Sequence, residues 1–209
     1  MNRLFLLSAI LICADIATMA APVTYTVSVN TASLAGTTGS LDFNFNPGPL
    51  VSQSALVQIL DFAGGSAAGS PVLTGDAAGS LPGTIMLDNG AGFNDYFQQF
   101  TYSSTLTFDV YLYGPALSAP DGVSSSGGTF AFSMFSDVAG TVPALTTDVT
   151  DGFAYVVDVN LDGSTTVTNY IVNSAATPEP ASWFLVGIAL LGAYSCHLAV
   201  KTSITDRHD

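Results

Sequence analysis

The sequence predicts an all-β protein whose central part, residues 22–176, folds as an antiparallel β-sandwich of jelly-roll type. Three observations favour this class. Five segments alternate apolar and polar residues with the period of two that is typical of half-buried strands. Residues that favour turns separate these segments, among them 18 glycines. No segment between residues 22 and 176 shows the 3.6-residue periodicity of an amphipathic helix.

The strands are predicted from their apolar faces. In chain order these faces consist of Tyr25, Val27 and Val29; Leu41, Phe43 and Phe45; Leu106, Phe108, Val110 and Leu112; Phe130, Phe132 and Met134; and Phe153, Tyr155, Val157 and Val159. Shorter apolar segments predict four more strands, at 55–62, 84–87, 97–102 and 166–172. Turns are expected between them, for example at Gly64-Gly65 and Asn89-Gly90. About nine short strands with frequent turns fit a sandwich rather than an α/β fold.

The amino-terminal 21 residues have the layout of a secretory signal peptide. Arg3 gives a short positive region, residues 4–13 are apolar, and small residues follow up to Ala20 and Ala21. The apolar core has only ten residues, which is short for a transmembrane span. We therefore expect export of the chain, with cleavage after Ala20 or Ala21.

Residues 183–200 form an apolar stretch with no residue that is charged at neutral pH. As a helix these residues would extend roughly 27 Å, which is close to the thickness of the hydrocarbon core. Trp183 stands at one end, and Lys201 follows the other end. This pattern predicts one transmembrane helix in the inner membrane, with residues 201–209 as a cytoplasmic tail. The alternative is a buried C-terminal helix of a soluble domain.

A Pro-Glu-Pro triplet, formed by Pro178, Glu179 and Pro180, precedes this stretch. Its two prolines favour an extended and accessible backbone. Residues 177–207 as a whole resemble the PEP-CTERM sorting domain of bacterial exported proteins. The resemblance implies that exosortase, a multi-spanning membrane protease, recognises the triplet and removes the C-terminal helix. The alternative is a proline-containing linker before a membrane helix.

The C-terminal tail departs from the pattern of that family. The family usually carries a dense Arg/Lys cluster directly after the helix, whereas this chain has Lys201 and then Arg207 among aspartates. This difference bears on the efficiency of processing rather than on export. Proteins with the sorting domain that this segment resembles occur mostly in bacteria that have an outer membrane and secrete exopolysaccharide, and the resemblance implies such a source for this chain.

The composition of residues 22–176 excludes several classes of chemistry. The segment has 12 aspartates and no Lys, Arg, His, Cys or Glu. Hydrolysis by a serine with a His or Lys base, thiol chemistry, disulfides and imidazole-ligated metals are therefore excluded from it. The net charge of the whole chain, −13, opposes binding to nucleic acid. We predict a protein that is not an enzyme and needs no cofactor; the alternative is a glycosidase that uses two aspartates.

Residues 158–163 match the first half of a calcium-binding loop of the EF-hand type. Its oxygen ligands would come from Asp158, Asn160 and Asp162. The twelfth position holds Asn169 instead of a bidentate glutamate, although Asp148 and Asp151 offer further oxygens. The same residues also fit the end of a strand followed by a hairpin turn, which is the interpretation we favour.

Tyr111 and Tyr113 fall on the polar face of their predicted strand together with Asp109. Exposed aromatic rings beside a carboxylate are typical of sugar-binding surfaces, although such tyrosines also occur in cores or on ordinary surfaces. Taken together, the sequence predicts an exported surface or extracellular-matrix protein that is first held in the inner membrane and then processed by an exosortase-like protease. The alternative is a carbohydrate-binding module that associates with exopolysaccharide, with or without calcium.

Overall fold

The computed structural model describes residues 22–172 of the chain. The predicted signal peptide, the predicted transmembrane helix and the triplet Pro178, Glu179 and Pro180 lie outside the described residues. Within the described range, none of the helices has the length and apolar character required to cross a membrane.

The described residues form ten antiparallel strands, which confirms the predicted all-β class. The strands are β1 (Val23–Asn30), β2 (Thr38–Pro47), β3 (Leu56–Ala67), β4 (Val72–Thr74), β5 (Ala77–Gly79), β6 (Ile85–Asp88), β7 (Asp95–Tyr113), β8 (Gly128–Phe135), β9 (Phe153–Val159) and β10 (Thr165–Asn169). Helical structure in this range is limited to a 3-10 turn (Ala32–Leu34) and one short helix, α1 (Pro115–Ser118). Strands β4 and β5 were not predicted, because three residues are too few to show a period.

Strand β7 is the centre of the fold and differs from the sequence prediction. We expected two strands, at 97–102 and 106–112, but the structure has one strand of 19 residues. Its first half pairs with β2 and its second half with β1. The backbone stays extended at the junction, where its polar groups have partners: the Ser103 hydroxyl donates to the carbonyl of Thr105 (2.9 Å), and the Ser104 carbonyl accepts the N–H of the distant Thr31 (3.0 Å).

Strand β3 follows β7 along both of its halves and bends with it. Its register shifts twice between Leu60 and Gly65. Asp61, Gly64 and Gly65 in this region have positive φ angles of 51°, 125° and 151°. Gly64-Gly65 is therefore a bend inside a strand and not the turn that we predicted. A Cβ atom on Gly64 would lie 2.2 Å from the carbonyl oxygen of Thr105, so the backbones approach too closely here for any side chain.

The bends in β3 and β7 fold the sheet over on itself, which gives a sandwich-like arrangement. Phe108, in the second half of β7, lies 4.8 Å from Phe132 of β8 and 5.3 Å from Phe43 of β2 (ring centroids), although β7 pairs with neither strand at that point. These rings come from two facing layers and meet in the core. The largest fully buried side chains are Tyr96, Phe43, Phe45, Phe100, Phe108, Phe130, Phe132, Leu41, Ile59, Ile85, Leu87 and Leu106.

The edge strands of the two layers are also joined. The hydroxyl of Tyr25 on β1 lies 2.6 Å from Oγ1 of Thr165 on β10. This contact adds a polar link between the two layers beside their shared aromatic core. The outward faces carry the candidate sites described next.

Candidate functional site

The first candidate site is the outer face of the layer that contains the second half of β7. Val110 and Leu112 point into the core, so Tyr111 and Tyr113, which alternate with them, lie on the opposite face and are partly exposed. Their ring centroids are 5.3 Å apart and their planes are inclined by 36°. The structure thus confirms that these two tyrosines belong to the outer face and not to the core.

Neighbouring strands extend this surface on both sides of Tyr111. In the pairing register Tyr111 lies opposite Thr24 of β1 and Gln58 of β3, and Gln58 lies opposite Met86 of β6. The Gln58 side-chain amide donates a hydrogen bond to the Tyr113 hydroxyl (3.3 Å), and the Met86 side chain is 43% exposed. We call Thr24, Gln58, Met86, Asp109, Tyr111 and Tyr113 the tyrosine face.

The tyrosine face combines groups that suit a neutral polyol better than an ion. The two phenol rings offer apolar surface for stacking, and the amide of Gln58 and the carboxylate of Asp109 offer polar groups for hydroxyls. No Lys, Arg or His is present anywhere between residues 22 and 172 to bind an anion. The arrangement is therefore suited to non-covalent binding of an uncharged sugar chain.

The second candidate, the predicted calcium loop, is a β-hairpin. Asp158 lies in β9, where its Oδ1 accepts a hydrogen bond from the Thr129 hydroxyl (2.7 Å). In the turn that follows, Asp162 Oδ1 accepts hydrogen bonds from the N–H and the hydroxyl of Ser164 (3.0 and 2.6 Å). These bonds lower the pKa of Asp162, the bond from the Ser164 hydroxyl contributing most. The favoured interpretation as a hairpin is thus confirmed.

Asn160 and Asp148 are also engaged within their own loops. The Asn160 amide donates to the hydroxyls of Ser164 and Thr166 (3.0 Å each), so its nitrogen rather than its oxygen faces these neighbours. The Asp148 carboxylate accepts the N–H groups of three residues that follow it, Thr150, Asp151 and Phe153. Across residues 22–172, no three His, Cys, Asp or Glu side chains converge on a point where they could share a metal ion.

No family model, curated protein or solved structure matches this chain. The predicted recognition residues Pro178, Glu179 and Pro180 lie outside the described residues, so the geometry of the described domain bears on the tyrosine face and on the aspartates only.

The structure also contains one close carboxyl pair that the sequence did not indicate. Asp42 on β2 and Asp95 at the start of β7 lie within hydrogen-bonding distance of each other on the outer face of the other layer. Burial, and then the hydrogen bond and charge of Asp42, raise the pKa of Asp95 to about 8, and burial raises the pKa of Asp42 as well. Asp42 directly precedes the buried Phe43 and Asp95 directly precedes the buried Tyr96, so alternation alone places each carboxylate on the outward face of its strand. Their proximity depends on the pairing register, which the sequence does not reveal.

Proposed function

We propose that this chain is an exported, non-enzymatic protein of the cell surface or extracellular matrix, held in the inner membrane by residues 183–200 and then processed by an exosortase-like protease. The observation that carries this proposal is the order of segments in the sequence. A Pro-Glu-Pro triplet lies between a β-domain and a terminal apolar stretch, behind a signal-like amino terminus.

The described domain supports the non-enzymatic part of the proposal. Between residues 22 and 172 it has neither a basic side chain nor a cysteine, and several of its aspartates, among them Asp121, Asp137 and Asp162, act as acceptors within turns. It is packed around a large aromatic core, and between residues 22 and 172 it has no cysteine that could form a disulfide. Twelve aspartates without a single cation give the domain a strongly negative charge at neutral pH, which keeps an exported surface well hydrated.

The sorting proposal is tested by the mass of the mature protein in a host that contains an exosortase. We expect the wild-type chain to lose its C-terminal helix, and a variant with Pro178→Ala, Glu179→Ala and Pro180→Ala to retain it. Thr177→Ala, one residue outside the triplet, is the matched control and should be processed like the wild type. A triple variant with the same shortened mass as the wild type would refute recognition of the triplet.

A second candidate function is binding of an exopolysaccharide through the tyrosine face. It is favoured by the side-by-side arrangement of Tyr111 and Tyr113 with Gln58 on a partly exposed sheet face. The jelly-roll type of sandwich, which several lectin domains share, stays a prediction for this chain. The two proposals are compatible, because a sorted surface protein still needs a role for its folded domain.

The binding proposal is tested on a glycan array and by affinity electrophoresis in gels that contain neutral polysaccharides. We expect retention of the wild type and about a thirtyfold loss of affinity in the double variant Tyr111→Ala, Tyr113→Ala, since each of the two stacking contacts contributes about 1 kcal/mol. Tyr170→Ala, which changes a partly exposed tyrosine off the tyrosine face, is the control. Each measurement is repeated with calcium and with a chelator. Equal retention of the wild type and the double variant would refute a role of this face.

A further inference from the structure

Asp42 and Asp95 are diagonal neighbours on adjacent antiparallel strands. In the register of β2 and β7, Asp42 lies opposite Phe97 and Asp95 lies opposite Asn44. Diagonal side chains on one face of such a pair are close enough to interact, and these two carboxyl groups lie within hydrogen-bonding distance. The pair is independent of the tyrosine face and of the sorting segment.

The surroundings of the pair offer no positive charge. The register places only uncharged residues beside it on the same face, namely Asn44, Thr74, Phe97, Ala131 and Ser133. The titratable groups on adjoining segments include further aspartates. Asp76 donates its N–H to the side chain of Asn94, the residue before Asp95, and the Asp137 carbonyl accepts the hydroxyl of Ser40, two residues before Asp42. Any charge that these groups contribute is negative.

One oxygen of the pair is both shielded from water and without a hydrogen-bond donor. This atom, Oδ1 of Asp95, is the sole buried side-chain nitrogen or oxygen among residues 22–172 that lacks a partner. The carboxylate of Asp42 is also weakly bonded, because the hydrogen bond that it accepts from the Asn44 amide is long (3.4 Å). A buried carboxylate oxygen without a donor is costly, and two adjacent carboxylates without a cation are more so. A proton between the two groups removes both costs at once, because it provides a donor and cancels one charge.

We propose that Asp42 and Asp95 share one proton in the folded protein, and that loss of this proton at rising pH weakens the junction between β2 and β7. The domain thereby carries a built-in sensor of pH at the strand that connects its two layers. The bond that forms on acidification is an O–H···O⁻ hydrogen bond from one carboxyl to the other.

The sign of the effect follows from the raised pKa. The ordinary pKa of an aspartate is 3.8, whereas the pKa of Asp95 in the fold is about 8. Between these values the folded chain keeps a proton that the unfolded chain has lost, so stability falls as the pH rises. Above about pH 8 both states are ionised, and stability stops changing with this group.

The first test is the melting temperature of the full-length chain in a mild nonionic detergent, measured from pH 6 to pH 9. We expect the wild type to lose about 5 °C over this range, and Asp95→Asn to lose little, because an amide is a permanently neutral donor. Asp151→Asn, at an exposed carboxylate, is the control and should follow the wild type. His197 and His208 are common to all three proteins, so any contribution from them cancels in the comparison. Equal slopes for the wild type and Asp95→Asn would overturn the proposal.

The second test does not depend on a variant that folds. In a ¹³C NMR titration of the aspartate side-chain carboxyl carbons of the wild type, we expect one resonance with a midpoint close to pH 8. Titration of every aspartate below pH 5 would overturn the proposal. The proposal would also be overturned if calcium chloride raised the melting temperature at pH 8 in the wild type and not in Asp95→Asn. In that case a cation rather than a proton would neutralise the pair.

Discussion

The hydroxyl of Tyr102 on β7 donates a hydrogen bond to the backbone carbonyl of Ser40 on β2 (2.7 Å). The carbonyl oxygen of Phe135, at the end of β8, lies 3.0 Å from the same hydroxyl. Tyr102 is almost completely buried, and it lies just before the point at which β7 passes from one layer to the other. Burial raises the pKa of this hydroxyl, so it remains protonated at physiological pH and keeps its donor.

Tyr102→Phe removes this hydroxyl and leaves the two carbonyl groups without their common donor. We expect a loss of about 1–2 kcal/mol in the free energy of unfolding, measured by urea denaturation. Tyr113→Phe is the matched control, because the hydroxyl of Tyr113 is partly exposed and accepts one long hydrogen bond from Gln58 (3.3 Å). This substitution should change the free energy of unfolding by less than about 0.5 kcal/mol. Equal effects of the two substitutions would show that the Tyr102 hydroxyl does not stabilise the strand junction.

Phe43 is the centre of the aromatic core. Its ring is stacked on Phe132 (centroids 4.9 Å apart) and meets Phe62, Tyr96 and Phe108 edge-on. Phe43→Ala should therefore cost about 3–5 kcal/mol through lost burial and the cavity that remains. Phe93→Ala removes a ring that is 54% exposed and should cost less than about 1 kcal/mol. Thermal unfolding of both variants checks this, and a small effect at Phe43 would contradict the packing described here.

Gly64→Ala tests the close approach of β3 to β7. The added methyl group would meet the Thr105 carbonyl oxygen at 2.2 Å, in a backbone conformation with φ of 125°. We expect a loss of more than about 3 kcal/mol, or failure to fold. Gly69→Ala separates the two causes, because Gly69 also has positive φ (74°) but has open space around its Cβ position. It should cost only the backbone term, about 1–2 kcal/mol. Similar losses in both variants would argue against a steric limit at Gly64.

Because residues 160–164 form a hairpin turn, we expect calcium to have little effect on the melting temperature of the domain. Asp158, Asn160 and Asp162 are bonded to neighbouring hydroxyl and N–H groups and do not converge on one point. Calcium at 1 mM should thus shift the melting temperature by less than about 1 °C, since a ligand stabilises the fold only to the extent that it binds the folded state. The same measurement on Asp162→Asn serves as the reference. A clear calcium-dependent rise in the wild type that is lost in Asp162→Asn would restore the loop as a metal site.

The class of fold and most strands could be predicted because alternation reports directly on a half-buried strand. The buried faces of β1, β2, β8 and β9 were all identified from their apolar residues, and Tyr111 was placed on the outer face for the same reason. Such predictions need only local information, because side chains of a strand alternate between its two faces.

The path of β7 and the Asp42–Asp95 pair could not be predicted because both depend on non-local pairing. Ser103 and Ser104 resemble a break between strands, yet long-range hydrogen bonds keep the backbone extended through them. Alternation shows that Asp42 lies on an outward face but not which residue of a neighbouring strand lies beside it. A single-residue change of register would move Asp95 to the opposite face and separate the two carboxyl groups.

The pairing of β1 has a consequence for how the chain reaches its native state. Among the described strands β1 pairs only with β7, and Val23 lies opposite Leu112 in that pairing. When the chain emerges from its amino end, in translation or in secretion, the first strand has no partner until nearly ninety later residues have followed it. Its backbone hydrogen-bonding groups stay open to other chains during that interval. We therefore expect the early steps of folding to be slow. The domain is most prone to aggregation at this stage, when many unfinished chains lie close together.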